Sequence, residues 1–329
     1  INDFDETLPG PWEWDVKRLA TSFQIAAEHN GLRRRDQDAI VLRSVSSYRE
    51  AMRRFAKRRN LEVWYDLTEV QSIVDRFWDE AGKRGRRNLD RHVRKALRRD
   101  SLHAFNKLAE HVGDSARIES DPPLLVPIRE FEPGPRDQFV ARIGEVLAAY
   151  RRTLQHDRRL LLDQYRLVDI ARKVVGVGSV GTDAWIALFI GHDWSDPLFL
   201  QMKEAQPSVL EGFAGRSRFR NHGERVVAGQ RCTQATGDIF LGWMRVRDTM
   251  AGHSRDYYVR QLRDWKGGVI PELMRTKQLL IYATVCGETL ARAHARTGDR
   301  VALATYLGGG PAFDQAVLGF ARAYAEQNQ

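Results

Sequence analysis

Residues 165–265 constrain the fold most, because this block has the pattern of β-strands within a largely helical chain. Its strand-like runs are rich in β-branched and aromatic residues and are bounded by Gly, Asp or Pro. They are "RKVVGVGSVGTDAWIALFIG", "DPLFLQMKEA", "IFLGWMRV" and "DYYVRQL", with a predicted helix over 223–234 among them. Short strands joined by turns favour antiparallel pairing. We therefore predict an α+β protein with a small antiparallel sheet.

The rest of the chain divides into four further segments by composition and by apolar spacing at i, i+3 and i+4. Residues 121–135 hold five of the eleven prolines, which predicts an extended crossing segment. The four segments are 1–30, with a helix over 15–29; 31–120, an Arg-rich helical subdomain with helices over 39–59, 66–83 and 88–112; 121–164, the Pro-rich segment and a helix over 137–164; and 266–329, with helices over 271–294 and 312–327.

The charge balance favours an anionic partner. The 329 residues include 52 Lys and Arg against 43 Asp and Glu, a net charge of +9. Such a balance suits nucleotides, nucleic acid, acidic lipids or phosphorylated substrates, and it does not choose among them. The longest apolar runs, 184–190 and 279–286, are shorter than the roughly 18 residues that span a bilayer, so no membrane partner is predicted. Cys232 and Cys286 stand apart, which argues against a disulfide framework and favours a cytoplasmic location.

The most basic stretch, residues 83–99, carries nine Lys and Arg in 17 positions. A solvated helical face is the favoured interpretation, and an anion-binding surface for substrate or nucleic acid is the alternative. Aromatic residues that would stack on bases are nearly absent from it. Nucleic acid is therefore a less favoured partner than a nucleotide.

The string "VVGVGSVG" has the spacing GxGxxG, with Gly176, Gly178 and Gly181 as its glycines. A dinucleotide-binding turn would need a helix after it, whereas a strand-like run follows here. A glycine loop between two strands is the hairpin that covers nucleotide phosphates in protein kinases. Val177 and Ser179 lie within this predicted loop. The alternative is an ordinary glycine-rich hairpin.

Lys203 ends a strand-like run 27 positions after Gly176 and after one complete intervening strand. This is the order in which kinases place the lysine that reaches the α- and β-phosphates. The alternative is an edge lysine that faces water. Glu224, on the following helix, is a candidate partner for Lys203, with Glu204 and Glu211 as rivals. By chain order alone, Arg260 and Leu262 would lie beside the adenine.

The first residues, "INDFDETLPGPWEWDVKRLA", place Asp3-Phe4-Asp5 before a Gly-Pro turn and a helix. This segment resembles the metal-binding segment of aminoglycoside and choline kinase-like phosphotransferases. The resemblance implies that Asp3 binds Mg²⁺, as the aspartate of the kinase DFG motif does. Asp5 replaces the usual glycine, so either aspartate could be the ligand. Asp15 would be a buried aspartate that steadies the catalytic loop. The alternatives are a polar turn for Asp3 and Asp5 and a helix N-cap for Asp15.

Longer strings resemble a bacterial family known as domain of unknown function 2252, over nearly the whole chain. They are "NDFDETLPGPWEWDVKRLA", "KVVGVGSVGT", "PLFLQMKEA", "GQRCTQATGDIFLGW", "DYYVRQLRDWKG" and "CGETLARAHARTGD". Family members usually carry a Gly-Asp-x-His-x-x-Asn-Phe stretch just before the Asp-Phe-Asp segment. No such string occurs in the 329 residues, and "HARTGD" at His294–Asp299 lacks the Asn. The chain is therefore expected to be an N-terminally truncated form.

The two resemblances together imply a protein-kinase-like fold in permuted order, because the glycine loop and Lys203 follow the Asp-Phe segment instead of preceding it. Residues 165–265 would form the small lobe, residues 1–30 and 266–329 would belong to the large lobe, and residues 31–120 would be a helical insertion. The implied activity is transfer of the γ-phosphate of ATP, with Mg²⁺, to an unknown acceptor, with Lys203 and Asp3 as catalytic residues. The alternative is a pseudokinase or a basic scaffold that binds nucleotide or nucleic acid without turnover.

Overall fold

A computed structural model describes residues 1, 3–67, 101–112, 115–131, 133–174, 183–246, 254–262 and 270–328. It confirms the α+β class. The helices are α1 (Glu13–His29), α2 (Arg34–Ala56), α3 (Asn60–Trp64), α4 (Ser101–Leu108), α5 (Pro133–Arg152), α6 (His156–Leu162), α7 (Glu211–Ala214), α8 (His222–Thr233), α9 (Thr276–Thr297), α10 (Arg300–Leu307) and α11 (Ala312–Asn328). The strands are β1 (Ala109–Val112), β2 (Ser115–Ile118), β3 (Leu125–Pro127), β4 (Arg166–Lys173), β5 (Ala184–Ile190), β6 (Pro197–Ala205), β7 (Gly242–Val246) and β8 (Arg255–Gln261).

The main sheet has six antiparallel strands in the order β3-β4-β5-β6-β8-β7. The four strand-like runs of the β block all contribute to it, as predicted. The Pro-rich segment does more than cross the molecule, because its residues Leu125–Pro127 pair with β4 as an edge strand. Pro127 ends that edge strand, where the proline's missing N–H removes nothing from the interior of the sheet.

Two predicted helices are wrong in part. The helix predicted over 88–112 gives way to strand at Ala109, and β1 pairs with β2. Tertiary contacts favour the hairpin, since Ile118 is fully buried and its N–H donates to Asp169 Oδ2 of β4 at 2.9 Å. The helix predicted over 137–164 starts earlier, at Pro133, and breaks between Arg152 and His156. Proline is well tolerated in a first helical turn.

Both faces of the sheet are covered. On one face, α5 and α6 pack over large side chains of β5, β6 and β8, such as Trp185, Leu200 and Tyr257. On the other face, α4 and the β1–β2 hairpin cover the β4, β5 and β6 region. Helix α8 covers the β8 and β7 end of that second face, together with Phe4. The second face therefore changes its cover at β6, near Lys203.

A separate helical core forms from α1, α2, α9, α10 and α11. Helices α2 and α9 cross closely at Gly287, where an added Cβ would lie 2.3 Å from the Ser44 carbonyl oxygen. A bidentate pair between Arg49 and Asp314 ties α2 to α11. Of the helices in the described ranges, none has the length and apolar character needed to cross a bilayer.

Candidate functional site

Lys203 lies near the end of β6 on the face that α8 and α4 share. Alternation along β6 sends Met202 to the opposite face, into the core beneath α5. Ala184 of β5 and Tyr258 of β8 lie directly opposite Lys203 and therefore share its face. The Lys203 side chain is only 14% exposed. An ammonium group that is largely removed from water needs a counter-charge.

Asp5 supplies that counter-charge. Lys203 Nζ donates to Asp5 Oδ2 at 3.2 Å, across 198 positions of sequence. The Asp5 side chain is 41% exposed, so one side of the pair is open to solvent. Burial raises the pKa of Tyr258 well above its usual value, and a hydrogen bond to Asp5 contributes to this rise. Asp5 thus lies close to both Lys203 and Tyr258, and we refer to these three residues as the lysine–aspartate–tyrosine cluster.

The turn that carries Asp5 is anchored by its neighbours. Phe4 is 6% exposed and packs among Val226 and Leu241 beneath α8. The Thr7 N–H donates to the Phe4 carbonyl at 3.0 Å and closes the turn. Ser208 Oγ donates to the Glu6 carbonyl at 2.9 Å, which ties the turn to the loop after β6. The apolar Phe4 is therefore the anchor, and the acidic residues on either side of it remain accessible.

Arg225 of α8 also binds this turn, and no sequence motif pointed to it as a site residue. The residue is 2% exposed. Its guanidinium donates to the carbonyl oxygens of Thr7 at 2.7 Å, Asp5 at 2.8 Å and Gln206 at 2.9 Å. Burial lowers the pKa of Arg225, while Glu6, Glu211 and Asp5 oppose that shift. The available signal was an arginine inside the otherwise apolar helical run "RVVAG".

Glu224, the predicted partner of Lys203, lies in the first turn of α8. Its backbone N–H donates to the side chain of the N-cap residue Asn221 at 3.0 Å. The ion pair that the structure gives Lys203 is with Asp5 instead. The rival Glu204 pairs with Arg255 at 2.9 Å on the far side of the strand. Lys203 thus has a carboxylate partner, but that partner comes from the other end of the chain instead of from helix α8.

The other predicted site residues lie at different distances from the cluster. Asp3 is exposed, and its Oδ1 accepts from the Asp5 N–H at 3.4 Å. Arg260 lies on β8 with its guanidinium 5.8 Å from the Tyr258 ring centre. Leu262 follows β8 and continues the pairing by donating its N–H to the Phe199 carbonyl at 3.0 Å.

The predicted glycine loop, with Gly176, Val177, Gly178, Ser179 and Gly181, lies outside the described residues, as does the basic stretch 83–99. The two strands that flank the loop are described. β4 ends at Lys173 and β5 begins at Ala184, directly opposite Lys203. The described ends of β4 and β5 therefore lie beside each other, and the start of β5 lies beside Lys203.

The predicted burial of Asp15 is wrong, since its side chain is 62% exposed. It lies within the first turn of α1 instead of at the N-cap position, which Trp12 occupies. Asp15 Oδ2 is 3.1 Å from His294 Nε2 of α9, and His294 Nδ1 is 2.9 Å from the Tyr48 hydroxyl of α2. Asp15 therefore joins three helices of the helical core.

Asp3, Gln201 and the lysine–aspartate–tyrosine cluster contain residue types that could hold a metal ion or an anionic ligand. Among the described residues, no group of three or more His, Cys, Asp or Glu side chains is placed to hold a metal by itself. Mg²⁺ commonly binds through one or two carboxylates plus substrate phosphates, and Asp3 and Asp5 provide two carboxylates on one turn. Gln201, opposite Arg260 on the same face, is 3% exposed, and its buried Nε2 has no hydrogen-bond partner within the described part of the chain. Such a donor can serve a ligand.

A family model matches residues 1–329 in full: domain of unknown function 2252, described as an uncharacterised protein conserved in bacteria. The chain belongs to this family. Membership confirms the family resemblance seen in the sequence, and the family description names no activity. No curated protein and no solved structure matched the chain.

Proposed function

We propose that this member of domain of unknown function 2252 is a kinase-like phosphotransferase that binds ATP with Mg²⁺ and transfers the γ-phosphate to an acceptor. The Lys203–Asp5 ion pair carries the proposal. The phosphate-binding lysine and the metal-binding turn were assigned from separate strings near residues 200 and 5. Their side chains meet at 3.2 Å, as one site that handles both phosphate and metal would require.

The order of elements along the chain supports the same function. The β4–β5 hairpin comes first, β6 with Lys203 follows, and helix α8 comes next, before β7 and β8. Kinases likewise order a glycine-loop hairpin, a lysine strand and a helix that borders the site. The metal-binding turn precedes all of these elements in sequence, and it still packs against β6 and α8. A circular permutation would account for that order.

Each residue has a proposed role. The Lys203 ammonium would neutralise the α- and β-phosphates, and the carboxylates of Asp3 and Asp5 would hold Mg²⁺. ATP would supply the phosphoryl group. Binding would require Lys203 to exchange Asp5 for phosphate, which the open side of the pair allows. Gln201 Nε2 and Arg260 would offer donors farther along the same face, toward Leu262.

Nucleotide binding without transfer is the second candidate. The observation that favours it is the chemistry of the Lys203–Asp5 pair, which offers groups that bind phosphate and metal and no separate catalytic base for an acceptor. The two candidates share the binding site and differ only in turnover. A basic scaffold for nucleic acid remains a third hypothesis, and it rests on residues 83–99.

Calorimetric titration with MgATP tests the proposal. Loss of a charged hydrogen bond to phosphate should weaken binding about 10- to 100-fold in Lys203→Met. Lys277→Met is the matched control, because Lys277 is exposed in the first turn of α9 and should bind as wild type does. The proposal fails if wild type binds no nucleotide or if Lys203→Met binds equally well. Transfer of labelled γ-phosphate to water or to an acceptor then separates enzyme from pseudokinase.

A further inference from the structure

Arg225 is a buried cation whose hydrogen bonds in the described structure all go to backbone carbonyl oxygens. At 2% exposure it has lost most of its hydration. A buried charge is costly unless it is well paired, and carbonyl dipoles compensate a guanidinium less well than a carboxylate does. A purely structural helix position would be filled at lower cost by an apolar residue. The position of the three carbonyls gives the reason for an arginine.

The three carbonyls lie at the two places that form the Lys203–Asp5 pair. Those of Asp5 and Thr7 belong to the turn that carries the aspartate, and that of Gln206 comes one residue after the lysine strand. A guanidinium presents five N–H donors in one rigid plane, so it can reach all three oxygens. A lysine at this position has one nitrogen and no fixed fork.

Helix α8 also packs closely against the Asp5 turn and against strand β8. An added Cβ at Gly229, one helical turn after Arg225, would lie 2.3 Å from Thr7 Oγ1. An added Cβ at Gly223 would lie 2.2 Å from the Tyr257 carbonyl oxygen of β8. These contacts leave no room for side chains, so α8, β8 and the Asp5 turn pack as one unit.

We infer that Arg225 is a positioning residue for the nucleotide site, which holds the Asp5 turn and the end of the lysine strand on helix α8. The inference rests on the proposed function for its catalytic meaning. In protein kinases, a glutamate on the helix that borders the site couples that helix to the lysine by a side-chain ion pair. Here the neighbouring residue, Arg225, couples the helix to both halves of the site through backbone oxygens. A displacement of α8 is thereby transmitted to Asp5.

Hydrogen–deuterium exchange on Arg225→Lys tests the inference without any ligand. Amides in segments 3–7 and 206–210 should exchange about tenfold faster than in wild type, because two or more hydrogen bonds are lost. Acylation of Lys203 should rise in parallel as Asp5 moves away. Arg231→Lys is the control on the same helix, since Arg231 likewise donates to a backbone carbonyl oxygen, that of Leu241. It should leave both segments unchanged.

Exchange rates in 3–7 within twofold of wild type would overturn the inference. If Arg225→Lys does not fold, wild type alone decides. Amides of the Asp5 turn should then open with those of α8, and exchange in the turn more than about 100-fold faster than in α8 refutes the coupling.

Nucleotide titration separates the inference from the proposed function. Arg225→Lys should reduce the gain in affinity that Mg²⁺ gives to ATP, because the metal-binding carboxylate is displaced. An unchanged Mg²⁺ gain in Arg225→Lys refutes the role at the site. If wild type binds no nucleotide, the proposed function fails while the exchange experiment still tests the positioning by Arg225.

Discussion

Mutating Lys203 and Asp5, singly and together, should reveal a coupling free energy between their side chains. Bound nucleotide should remove this coupling. The relevant variants are Lys203→Met, Asp5→Asn and the double mutant. At 3.2 Å, the attraction between unit charges is about 5 kcal/mol at an effective dielectric constant of 20, before desolvation and side-chain entropy are subtracted. Fully exposed pairs retain about 0.2–1 kcal/mol. With side-chain exposures of 14% and 41%, we expect a coupling of about 1–2 kcal/mol.

Urea unfolding of the four proteins measures this coupling. Asparagine keeps an oxygen that can accept from Tyr258, so the cycle reports mainly on the Lys203 contact. Saturating MgATP should lower the coupling to below about 0.5 kcal/mol, because the proposed function sends Lys203 to phosphate and Asp5 to the metal. A coupling within about 0.3 kcal/mol of zero in the free protein would refute the pair. A coupling that nucleotide leaves unchanged would refute the proposed roles.

Three further predictions test other parts of the structure. Gln201→Met should raise the free energy of unfolding by about 1 kcal/mol, since it removes an unpartnered buried amide, and should weaken nucleotide binding; a destabilised variant in urea melts would contradict this. Gly287→Ala should lower the free energy of unfolding by about 1–3 kcal/mol, because the added Cβ meets the α2 backbone. Gly319→Ala, which has open space around it, should raise the free energy of unfolding by about 0.5–1 kcal/mol through helix propensity. Equal effects of the two substitutions in thermal melts would rule out the close helix crossing. Burial raises the pKa of Cys286 to about 11, so about one Cys286 thiol in a thousand is ionised at pH 8, and its alkylation should accelerate as the pH rises toward 11. Mass spectrometry should find the exposed Cys232 labelled first. Rapid labelling of Cys286 in the native protein at pH 8 would disprove its burial.

The strands of the β block could be predicted because their signal is local. Runs such as Ala184–Ile190 are continuously apolar and end at glycine or aspartate, and the structure buries every residue of that strand. The hairpin at Ala109–Ile118 was missed because its competing signal is not local. The backbone of Ile118 bonds to a β4 carboxylate 51 positions away, and helix periodicity contains no information about that partner.

The sequence indicated candidate residue types for the site, and it did not indicate which of them pair. Lys203 and Asp5 could be proposed as site residues from short strings, since each lies in a motif with recognisable chemistry. The choice between Glu224 and Arg225 could not be made from the sequence, because one helical position separates them and only the rotation of α8 decides which side chain faces the Asp5 turn. That rotation is set by contacts with Thr7 and Tyr257, which are distant in sequence.

The helical core joins α1 and α2 to helices that are synthesised much later. Their partner α9 begins at Thr276, roughly 220 residues after α2 ends, which at ribosomal speeds is about 10–45 seconds of elongation. Until then, the apolar face of α2, including Ile40, Val41 and Met52, has no partner from α9. We therefore expect part of that apolar face to stay exposed while the sheet is synthesised. Nascent chains whose translation is arrested before Thr276 should leave the apolar face of α2 exposed, and these chains should bind holdase chaperones.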